Sequence, residues 1–309
     1  MDGNRRKRAA KMIGASIRHY RWKARRLLAR LTRERRPVRV VIFGEHSEDW
    51  MSALASDAPV WKSFPRVREV LLAADAAGLP ADRPDNVGTV VIPLMEDHAR
   101  NLPSGFHALS PDRRSIDILA DKAAFAAHGS NLGLDRLCPA TFRDARRATF
   151  PCVLKRLDLN AGRGVALARS RFELELRLEQ EPWLGHPYIL QAYTPGDVEY
   201  VTHCVCRDGR LLWHGSFAYR IRGSDAIRTS DNVETMSAIA APPGVIAAIG
   251  RFLRPLAYSG PCNVDYKIAP DGGIVVLEIN PRLGGSLMRP ENVGFLARAL
   301  SEIIDAATP

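Results

Sequence analysis

The sequence predicts an α/β protein with several lobes, and three observations lead to this prediction. The chain has 309 residues, of which 46% are hydrophobic and 25% charged, so it is long enough for two or three cores. Continuous apolar runs at Val38–Phe43 and Thr89–Leu94 are typical of buried parallel strands, and Arg66–Ala77 between them is predicted as a helix. Further along, β-rich runs flank Asp-Gly or glycine-rich turns, which indicates hairpins. We therefore expect a small α/β lobe followed by α+β lobes.

The positive charge of the chain is concentrated in its first 36 residues. They contain 14 Lys or Arg and two acids, whereas the other residues contain 30 Lys or Arg and 32 acids. Apolar residues recur there at spacings of three and four, which predicts a basic amphipathic helix over residues 5–33. Its apolar stripe consists of Ile13, Ile17, Tyr20, Ala24, Leu27 and Leu31. Such a helix suits an anionic membrane surface, a protein partner or an organellar transit peptide, and it suits nucleic acid less well.

The cysteines and the hydropathy of the sequence indicate the cellular compartment of the protein. The five cysteines show neither a CxxC pair nor metal-finger spacing, which favours a reducing compartment. No apolar run approaches the roughly 18–20 residues of a transmembrane helix, and the N-terminus lacks the apolar core of a secretory signal. The sequence thus predicts a cytoplasmic protein, with a peripheral position on the inner face of a membrane as the alternative.

The segment 263–286 contains the clearest candidate for a metal site. Two β-rich runs flank Pro270–Gly273, and a two-residue Asp-Gly loop there would place Asp265 directly opposite Glu278. Asn280 lies two residues further on and shares the face of Glu278. Opposed carboxylates are unfavourable without a cation, and three oxygen donors suit Mg²⁺ better than zinc or copper. The hairpin therefore predicts a magnesium site, with a solvated hairpin face as the alternative.

A second candidate is a glycine-containing turn between two strands. Phe150–Lys155 is predicted as a strand that ends in a lysine, and Gly162 and Gly164 lie in the turn before the next apolar run. Glycines let backbone N–H groups approach phosphate oxygens closely. This strand–loop–strand order differs from Walker loops and dinucleotide-binding turns, which both lead into a helix. The turn is therefore a candidate phosphate-binding lid, and we assign no nicotinamide cofactor.

Together these motifs resemble the ATP-grasp enzymes, which include D-alanine–D-alanine ligase, biotin carboxylase and many carboxylate–amine ligases. Asp265 and the run Glu278–Arg282 resemble the metal-binding end of that family, and five motifs follow the family order between about residues 118 and 309. The resemblance implies an ATP-grasp fold, in which a small Rossmann-like N-terminal lobe precedes two α+β lobes that clamp ATP. It implies four segments: a basic helix at 1–36, an N-terminal lobe at 37–117, a central lid subdomain at 118–194 and a C-terminal subdomain at 195–309.

The resemblance also implies a nucleotide site. Lys122, which follows Asp121 at the start of a predicted helix, and Lys155 would contact the phosphates of ATP. Glu199 would hold the ribose. The adenine would lie against the strand-to-linker residues Gln191, Ala192, Tyr193 and Thr194. The lid over the phosphates would contain Gly162 and Gly164.

The implied metal ligands and catalytic residues come from the C-terminal half and from Lys155. The ligands of the metal would be Asp265, Glu278 and Asn280. The catalytic residues would be Arg282, Lys155 and Arg220, with Arg222 as the alternative to Arg220. Two Mg²⁺ ions are expected, and Mn²⁺ is a candidate substitute.

The implied activity is that of an ATP-dependent carboxylate–amine ligase. A substrate carboxylate would attack the γ-phosphate to give an acyl phosphate and ADP, and an amine would then displace phosphate. The alternatives are a non-ligating ATP-binding module docked through its basic helix, and a carboxylase that forms carboxyphosphate. The expected partners are small carboxylates and amines, a second copy of the chain in a homodimer, and a membrane or protein bound by residues 5–33. Nucleic acid is not an expected partner.

Overall fold

A parallel three-stranded sheet forms the N-terminal part of the structure. Strand β1 (Val38–Phe43) lies between β2 (Val67–Ala73) and β3 (Gly88–Pro93), parallel to both, and helix α1 (Glu48–Leu54) follows β1. Every residue of β1 is buried, and alternate residues enter two different hydrophobic clusters, as in a strand covered on both faces. The strands predicted at Val38–Phe43 and Thr89–Leu94 are confirmed. The computed structural model describes residues 37–80, 88–159, 164–223, 227–229 and 231–308.

The helix predicted at Arg66–Ala77 is wrong, because the chain there forms β2. Val67, Val70 and Leu71 recur at spacings of three and four, which imitates the apolar face of a helix. Strand β1 is fully buried, however, and the backbone groups along its edge need hydrogen-bond partners. Residues from Val67 to Ala73 provide them in a parallel ladder. The tertiary environment therefore overrides the local pattern.

Three short helices lead from the parallel sheet to an antiparallel sheet of four strands. The helices are α2 (Glu96–Asn101), α3 (Arg113–Leu119) and α4 (Lys122–Asn131). Asp121 caps α4, because its carboxylate accepts a hydrogen bond from the Ala124 N–H at 2.7 Å. The sheet has the order β4-β7-β5-β6 and is covered by α5 (Arg171–Leu178). Its strands are β4 (Thr141–Phe142), β5 (Cys152–Arg156), β6 (Val165–Ala168) and β7 (Tyr188–Ala192).

A second antiparallel sheet, of five strands, forms the C-terminal part. Its order is β10-β9-β8-β11-β12. One face packs against α7 (Val293–Ala307) and residues of the N-terminal sheet, and the other packs against α6 (Val245–Leu253) and α4. Among the described residues, no helix has the length and apolarity to cross a bilayer. The strands are β8 (Val198–Arg207), β9 (Arg210–Ile221), β10 (Val233–Ile239), β11 (Gly260–Ile268) and β12 (Ile274–Asn280).

The predicted basic helix at residues 5–33 lies outside the described residues, as does Gly162 of the predicted lid.

Candidate functional site

Polar side chains concentrate on one face of the five-stranded sheet. Because side chains alternate along a strand, Asn263, Asp265 and Lys267 of β11 share a face, with His203 of β8 opposite Asn263. This face, the four-stranded sheet and α4 enclose a cavity of about 490 Å³. The charged and polar residues that line it include Lys122, Lys155, Gln191, Glu199, His203, Arg228, Asn263, Asp265, Lys267, Glu278, Asn280, Arg282 and Ser286. The structure therefore brings together most of the residues singled out in the sequence.

The predicted pairing of two carboxylates is present in the hairpin between β11 and β12. Asp265 lies directly opposite Glu278. The predicted two-residue loop is wrong, however, because the Ala269 N–H donates to the Gly273 carbonyl at 2.8 Å. The loop therefore contains three residues rather than two.

A β-bulge explains how the pairing survives the longer loop. The ladder is shifted by one residue near the loop, where Tyr266 pairs with Val276. An unbroken ladder would next place Leu277 opposite Asp265. The register instead shifts there, so that Leu277 is an extra residue in β12 and Glu278 faces Asp265. The register shift caused by the three-residue loop is thus reversed by the bulge at Leu277.

The two carboxylates belong to a compact charged cluster at the base of the cavity. The Asn280 side-chain amide donates to Asp265 Oδ2 and to Glu278 Oε1, both at 3.2 Å. Arg228 Nη2 donates to the other oxygen of Asp265 at 2.9 Å, and its Nε lies 2.9 Å from Glu199 Oε1. The side chains of Glu199 and Asp265 are 8% and 3% exposed, so these charges are largely removed from water.

Burial changes the pKa values of this cluster in different directions. Loss of hydration raises the pKa of Asp265 to about 7, against the opposing charge of Arg228. Burial also raises the pKa of Glu199. It acts in the same direction on Glu278, but Lys155 and hydrogen bonds with Asp265 and Asn280 lower the pKa of Glu278 overall. Loss of hydration thus outweighs the effect of the nearby cations on the pKa values of Asp265 and Glu199.

Two lysines lie on the opposite side of the cavity. Lys155 is in β5 and faces the acids, and its removal from bulk water lowers the pKa of its ammonium group against the effects of Glu278 and Glu199. Lys122, the first residue of α4, donates to the Leu159 carbonyl at 2.7 Å. Leu159 precedes the predicted lid turn, so this bond joins α4 to the base of that turn. The cavity thus has Lys122 and Lys155 on the wall opposite Asp265 and Glu278.

The predicted adenine-binding linker also borders the cavity. Residues 191–194 line it at the end of β7. Gln191 is buried and its amide donates to Thr141 Oγ1 at 3.3 Å. Lys267 holds the continuation of the linker, because its ammonium group donates to the carbonyls of Gly196 at 2.8 Å and Thr194 at 3.3 Å. The linker is therefore fixed by the same strand that contains Asp265.

The fold of this chain is similar to that of solved enzymes, whereas no protein-family model and no curated protein matches the sequence. The D-Ala:D-Ser ligase VanG from Enterococcus faecalis is similar with a TM-score of 0.62 and 16% identity, over 89% of this chain and 100% of that one. D-alanine–D-alanine ligase from Bacillus anthracis complexed with ATP is similar with a TM-score of 0.58 and 16% identity, over 88% and 97%.

A third similar structure is the biotin carboxylase domain of 2-oxoglutarate carboxylase from Hydrogenobacter thermophilus, in complex with MgADP and bicarbonate. Its TM-score is 0.57 at 14% identity, over 85% of this chain and 69% of that one. The chain has the ATP-grasp fold. The fold class predicted from the sequence is thus confirmed.

Within the ATP-grasp fold, the structure places the two predicted catalytic arginines differently. Arg282 lines the cavity, where its Nε lies 3.1 Å from Glu96 Oε1 and its Nη1 donates to the Leu283 carbonyl at 2.9 Å. Arg220 is not brought to the cavity. It pairs with Asp197 on the surface, and the two side chains are 53% and 61% exposed. Arg220 belongs to the segment where one arginine was expected, but another residue of that segment lines the cavity.

That residue is Arg228, which sequence reasoning did not select. The alternative arginine, Arg222, is exposed. No local pattern distinguishes Arg228 from its neighbours, because it lies in a loop without strand periodicity. Lys267 was also missed, although a signal for it exists: it lies two residues after Asp265 and so shares its face. Extending the period of two along β11 finds Asn263 in the same way.

Three of the cavity residues, Asp265, Glu278 and Asn280, fit a hard divalent cation. Among the described residues, no group of three His, Cys, Asp or Glu side chains is arranged to hold a metal by itself, so the set depends on the amide of Asn280. Rotating that amide by 180° would present its oxygen in place of the NH₂ group that now contacts both acids. Two carboxylates and one amide oxygen are ligands that Mg²⁺ accepts. The direct opposition of Asp265 and Glu278 agrees with this assignment, because two adjacent carboxylates are unfavourable without a cation.

Proposed function

We propose that this protein is an ATP-dependent carboxylate–amine ligase that releases ADP and phosphate. The observation that carries the proposal is the cavity in which Lys155 and Lys122 oppose Asp265, Glu278 and Asn280, with Arg282 also in its lining. Phosphoryl transfer requires positioning and neutralisation of charge more than covalent assistance from protein groups. Acids that could hold a cation, opposite the ammonium groups of Lys122 and Lys155, meet that requirement.

The nucleotide would lie across the cavity in the order set by these groups. The linker at 191–194 would receive the adenine through its backbone, and Glu199 would accept hydrogen bonds from the ribose hydroxyls. Lys155 and Lys122 would neutralise the phosphate oxygens. The lid turn would cover the phosphates through its glycines, of which Gly164 has a φ of +65°, a backbone conformation that glycine adopts without strain.

Asp265, Glu278 and Asn280 would hold one or two Mg²⁺ ions. When bound, the cation neutralises charge that develops on the β- and γ-phosphates. Arg282 would contact the transferring phosphoryl group and the acyl phosphate through its guanidinium donors. The ion pair with Glu96 leaves Nη2 of Arg282 and part of Nη1 for that contact.

Known proteins of this fold support the ligase reading. The similar structures include ligases named for D-alanine, D-serine and L-amino acids, in addition to the carboxylase domain. These identities are 14–16%, so the substrates of those proteins do not transfer to this chain. The carboxylate and the amine of this enzyme are therefore assigned by class only.

The test is ADP release by the purified protein with Mg·ATP against a panel of amino acids and small carboxylates. A ligase releases ADP over many turnovers only when both an acyl donor and an amine acceptor are present, and the coupled product is found by mass spectrometry. Release that depends on bicarbonate instead would indicate a carboxylase.

Glu278→Gln should reduce ADP release about 10²–10³-fold because it removes a charged contact to the reacting groups. Glu234→Gln, on an exposed position of β10, is the matched control.

The proposal also includes a docking role for the predicted basic segment. Residues 5–33 would dock the enzyme on an anionic membrane surface or on a protein partner. Co-sedimentation with phosphatidylserine vesicles compares the full chain with a shortened chain that begins at Arg36. Equal sedimentation of the two would remove the membrane from consideration.

A further inference from the structure

Arg228 is a charged group at the base of the cavity to which the proposed chemistry gives no role. It lies in the loop between β9 and β10, with a side chain only 22% exposed. Its Nε is 2.9 Å from Glu199 Oε1, and its Nη2 is 2.9 Å from Asp265 Oδ1. The carbon of its guanidinium lies 4.6 Å from the centre of the Tyr219 ring. One guanidinium thus bridges two buried carboxylates and stacks on an aromatic ring.

The two carboxylates are those that the proposed function assigns to other ligands. Asp265 is a proposed ligand of the metal, and Glu199 is the proposed ligand of the ribose. Arg228 donates to Asp265 on the oxygen that Asn280 leaves free. A guanidinium and a divalent cation cannot use the same lone pairs of this oxygen at the same time. The contact seen here therefore competes with the proposed metal contact.

The acids of the cluster need a positive counter-charge when no metal ion is bound. Glu199 and Asp265 are buried, and Asp265 lies directly opposite the half-buried Glu278. Buried acids without a counter-charge are strongly destabilising. Lys155 reaches the cluster from the other wall, but the direct ion pairs of Glu199 and Asp265 are with Arg228. In the absence of a metal ion, Arg228 is the group that holds these two acids together.

We propose that Arg228 occupies the place of the divalent cation in the nucleotide-free protein, so that binding of the metal with the nucleotide displaces it. This inference rests on the proposed function, because it uses the assignment of Asp265 to the metal. It gives the loop between β9 and β10 a defined relation to the nucleotide site. Filling the site breaks the two ion pairs that hold Arg228 in place.

Displacement predicts that removing Arg228 increases the affinity for the metal, whereas a purely supporting role predicts no increase. If Arg228 competes with the cation, then its removal leaves Glu199 and Asp265 without their ion pairs, and the metal binds more tightly. If Arg228 only supports the site, or if its contribution is to bind phosphate, its removal leaves the affinity for metal alone unchanged or weaker.

The experiment measures Mn²⁺ binding to the full chain by electron paramagnetic resonance, without nucleotide. Arg228→Gln should bind Mn²⁺ at least tenfold more tightly than the unmodified protein. Arg222→Gln, which removes an exposed arginine from the same segment, should bind like the unmodified protein. An unchanged or weaker affinity in Arg228→Gln overturns the proposal.

A second variant covers the case in which Arg228→Gln fails to fold without metal. Arg228→Lys keeps the positive charge but loses the planar fork that reaches both acids, so its Mn²⁺ affinity should rise above that of the unmodified protein. An affinity equal to or below that of the unmodified protein would count against displacement. Thermal unfolding of each variant, with and without Mn²⁺, provides a readout that is independent of activity: the stabilisation by Mn²⁺ should be larger in both Arg228 variants than in the unmodified protein.

The two proposals fail in different ways. If the unmodified protein neither binds Mg·ADP nor releases ADP with any substrate, the proposed function is wrong. If it binds Mg·ADP normally and the Arg228 variants show no gain in Mn²⁺ affinity, only the displacement of Arg228 is wrong.

Discussion

Arg282 shows how a single residue of the proposed site depends on a distant part of the chain. It follows β12, but Glu96, the first residue of α2, lies 3.1 Å from its Nε, and the Trp50 ring centre lies 6.0 Å from its guanidinium carbon. Both side chains of the ion pair are 17% exposed. The N-terminal part of the molecule therefore determines where this arginine points.

Glu96→Gln should impair the proposed reaction by misplacing Arg282. We expect kcat for ADP release to fall about tenfold or more, because a displaced charged donor loses part of a contact that stabilises the transition state. The affinity for Mg·ADP should change little, since Glu96 does not line the nucleotide half of the cavity. Steady-state kinetics together with equilibrium binding of Mg·ADP separate the two effects.

Asp97→Asn is the matched control for this change. Asp97 is the neighbouring acid of α2, and it pairs with Arg100 on the surface with 82% of its side chain exposed. Normal kcat in both variants, or an equal loss in both, would contradict the positioning of Arg282 by Glu96.

His203 supports a prediction about pH. Burial, with the nearby charges of Arg282 and Arg228, lowers the pKa of this imidazole to about 3, compared with about 6.5 in an unfolded chain. The unfolded state therefore binds the proton more tightly. Stability is unaffected above pH 6.5 and decreases as the pH falls towards 3. The loss from this one residue is roughly 2 kcal/mol at pH 5.

The measurement compares urea unfolding of the unmodified protein and His203→Gln between pH 7 and pH 4.5. Other histidines with lowered pKa values contribute equally to both proteins, so the difference in pH dependence belongs to His203. Gln retains a group that can bond to Ser286, the partner of His203 Nε2 at 2.5 Å. Parallel pH profiles would show that His203 is not buried in its neutral form.

At the scale of single residues, the sequence predicts the site where side chains follow strand periodicity. Asp265, Glu278 and Asn280 were found in this way, and Lys267 is found by extending the same rule. Arg228 was not found, because it reaches the acids from a loop and its contacts depend on long-range folding. The expectation for Arg220 was based on the segment alone, and in the structure Asp197 holds that side chain at the surface.

At the scale of elements, the turn between β8 and β9 shows a close approach that only glycine permits. Asp208 and Gly209 both have positive φ, +50° and +71°, as in the tight turns of two-residue hairpins. A Cβ on Gly209 would lie 2.8 Å from the Cα of Arg254, which is backbone and cannot move aside easily. The turn therefore joins the hairpin to the end of α6.

Gly209→Ala should destabilise the protein more than the backbone conformation alone requires. An alanine with positive φ costs about 1–2 kcal/mol, and forcing the Cβ against Arg254 adds about 1–3 kcal/mol. Gly185→Ala is the control, because Gly185 has a φ of +75° but no atom within 4 Å of an added Cβ. Unfolding midpoints in urea should rank the two variants in that order. Equal losses would mean that the contact with Arg254 relaxes without cost.

Elements differ in how well the sequence predicts them. The hairpin pairing of Asp265 with Glu278 was predicted correctly, yet it depends on a three-residue loop and a bulge at Leu277 that together restore the register. Neither feature leaves a distinct local pattern. The wrong helix at Arg66–Ala77 has a similar cause, since the open edge of β1 decides the conformation of β2. Local patterns thus predict which residues are apolar more reliably than which partner covers them.

At the scale of the whole molecule, the order of motifs along the chain predicted the fold that the structure has. The lysine-bearing strand, the linker and the acid-bearing hairpin are each weak signals. Their order is specific, because it places two antiparallel sheets around one cavity. The residues that complete the cavity from the N-terminal part of the molecule, such as Asp49 of α1, carry no local pattern that marks them as part of the site. Their position depends on how the sheets pack against each other.

The shared cavity predicts that Mg·ADP stabilises the molecule. A ligand that binds only the folded state adds about 2.7 kcal/mol at 100 times its Kd, which corresponds to roughly 5 °C or more in melting temperature. The metal-dependent part of this shift should disappear with EDTA and in Glu278→Gln, because Glu278 is a proposed metal ligand. Glu234→Gln should retain it.

The same shift with and without EDTA would mean that the nucleotide binds without the cation, and Asp265, Glu278 and Asn280 would then need another role. A metal-dependent shift that remains intact in Glu278→Gln would instead place the cation elsewhere in the cavity.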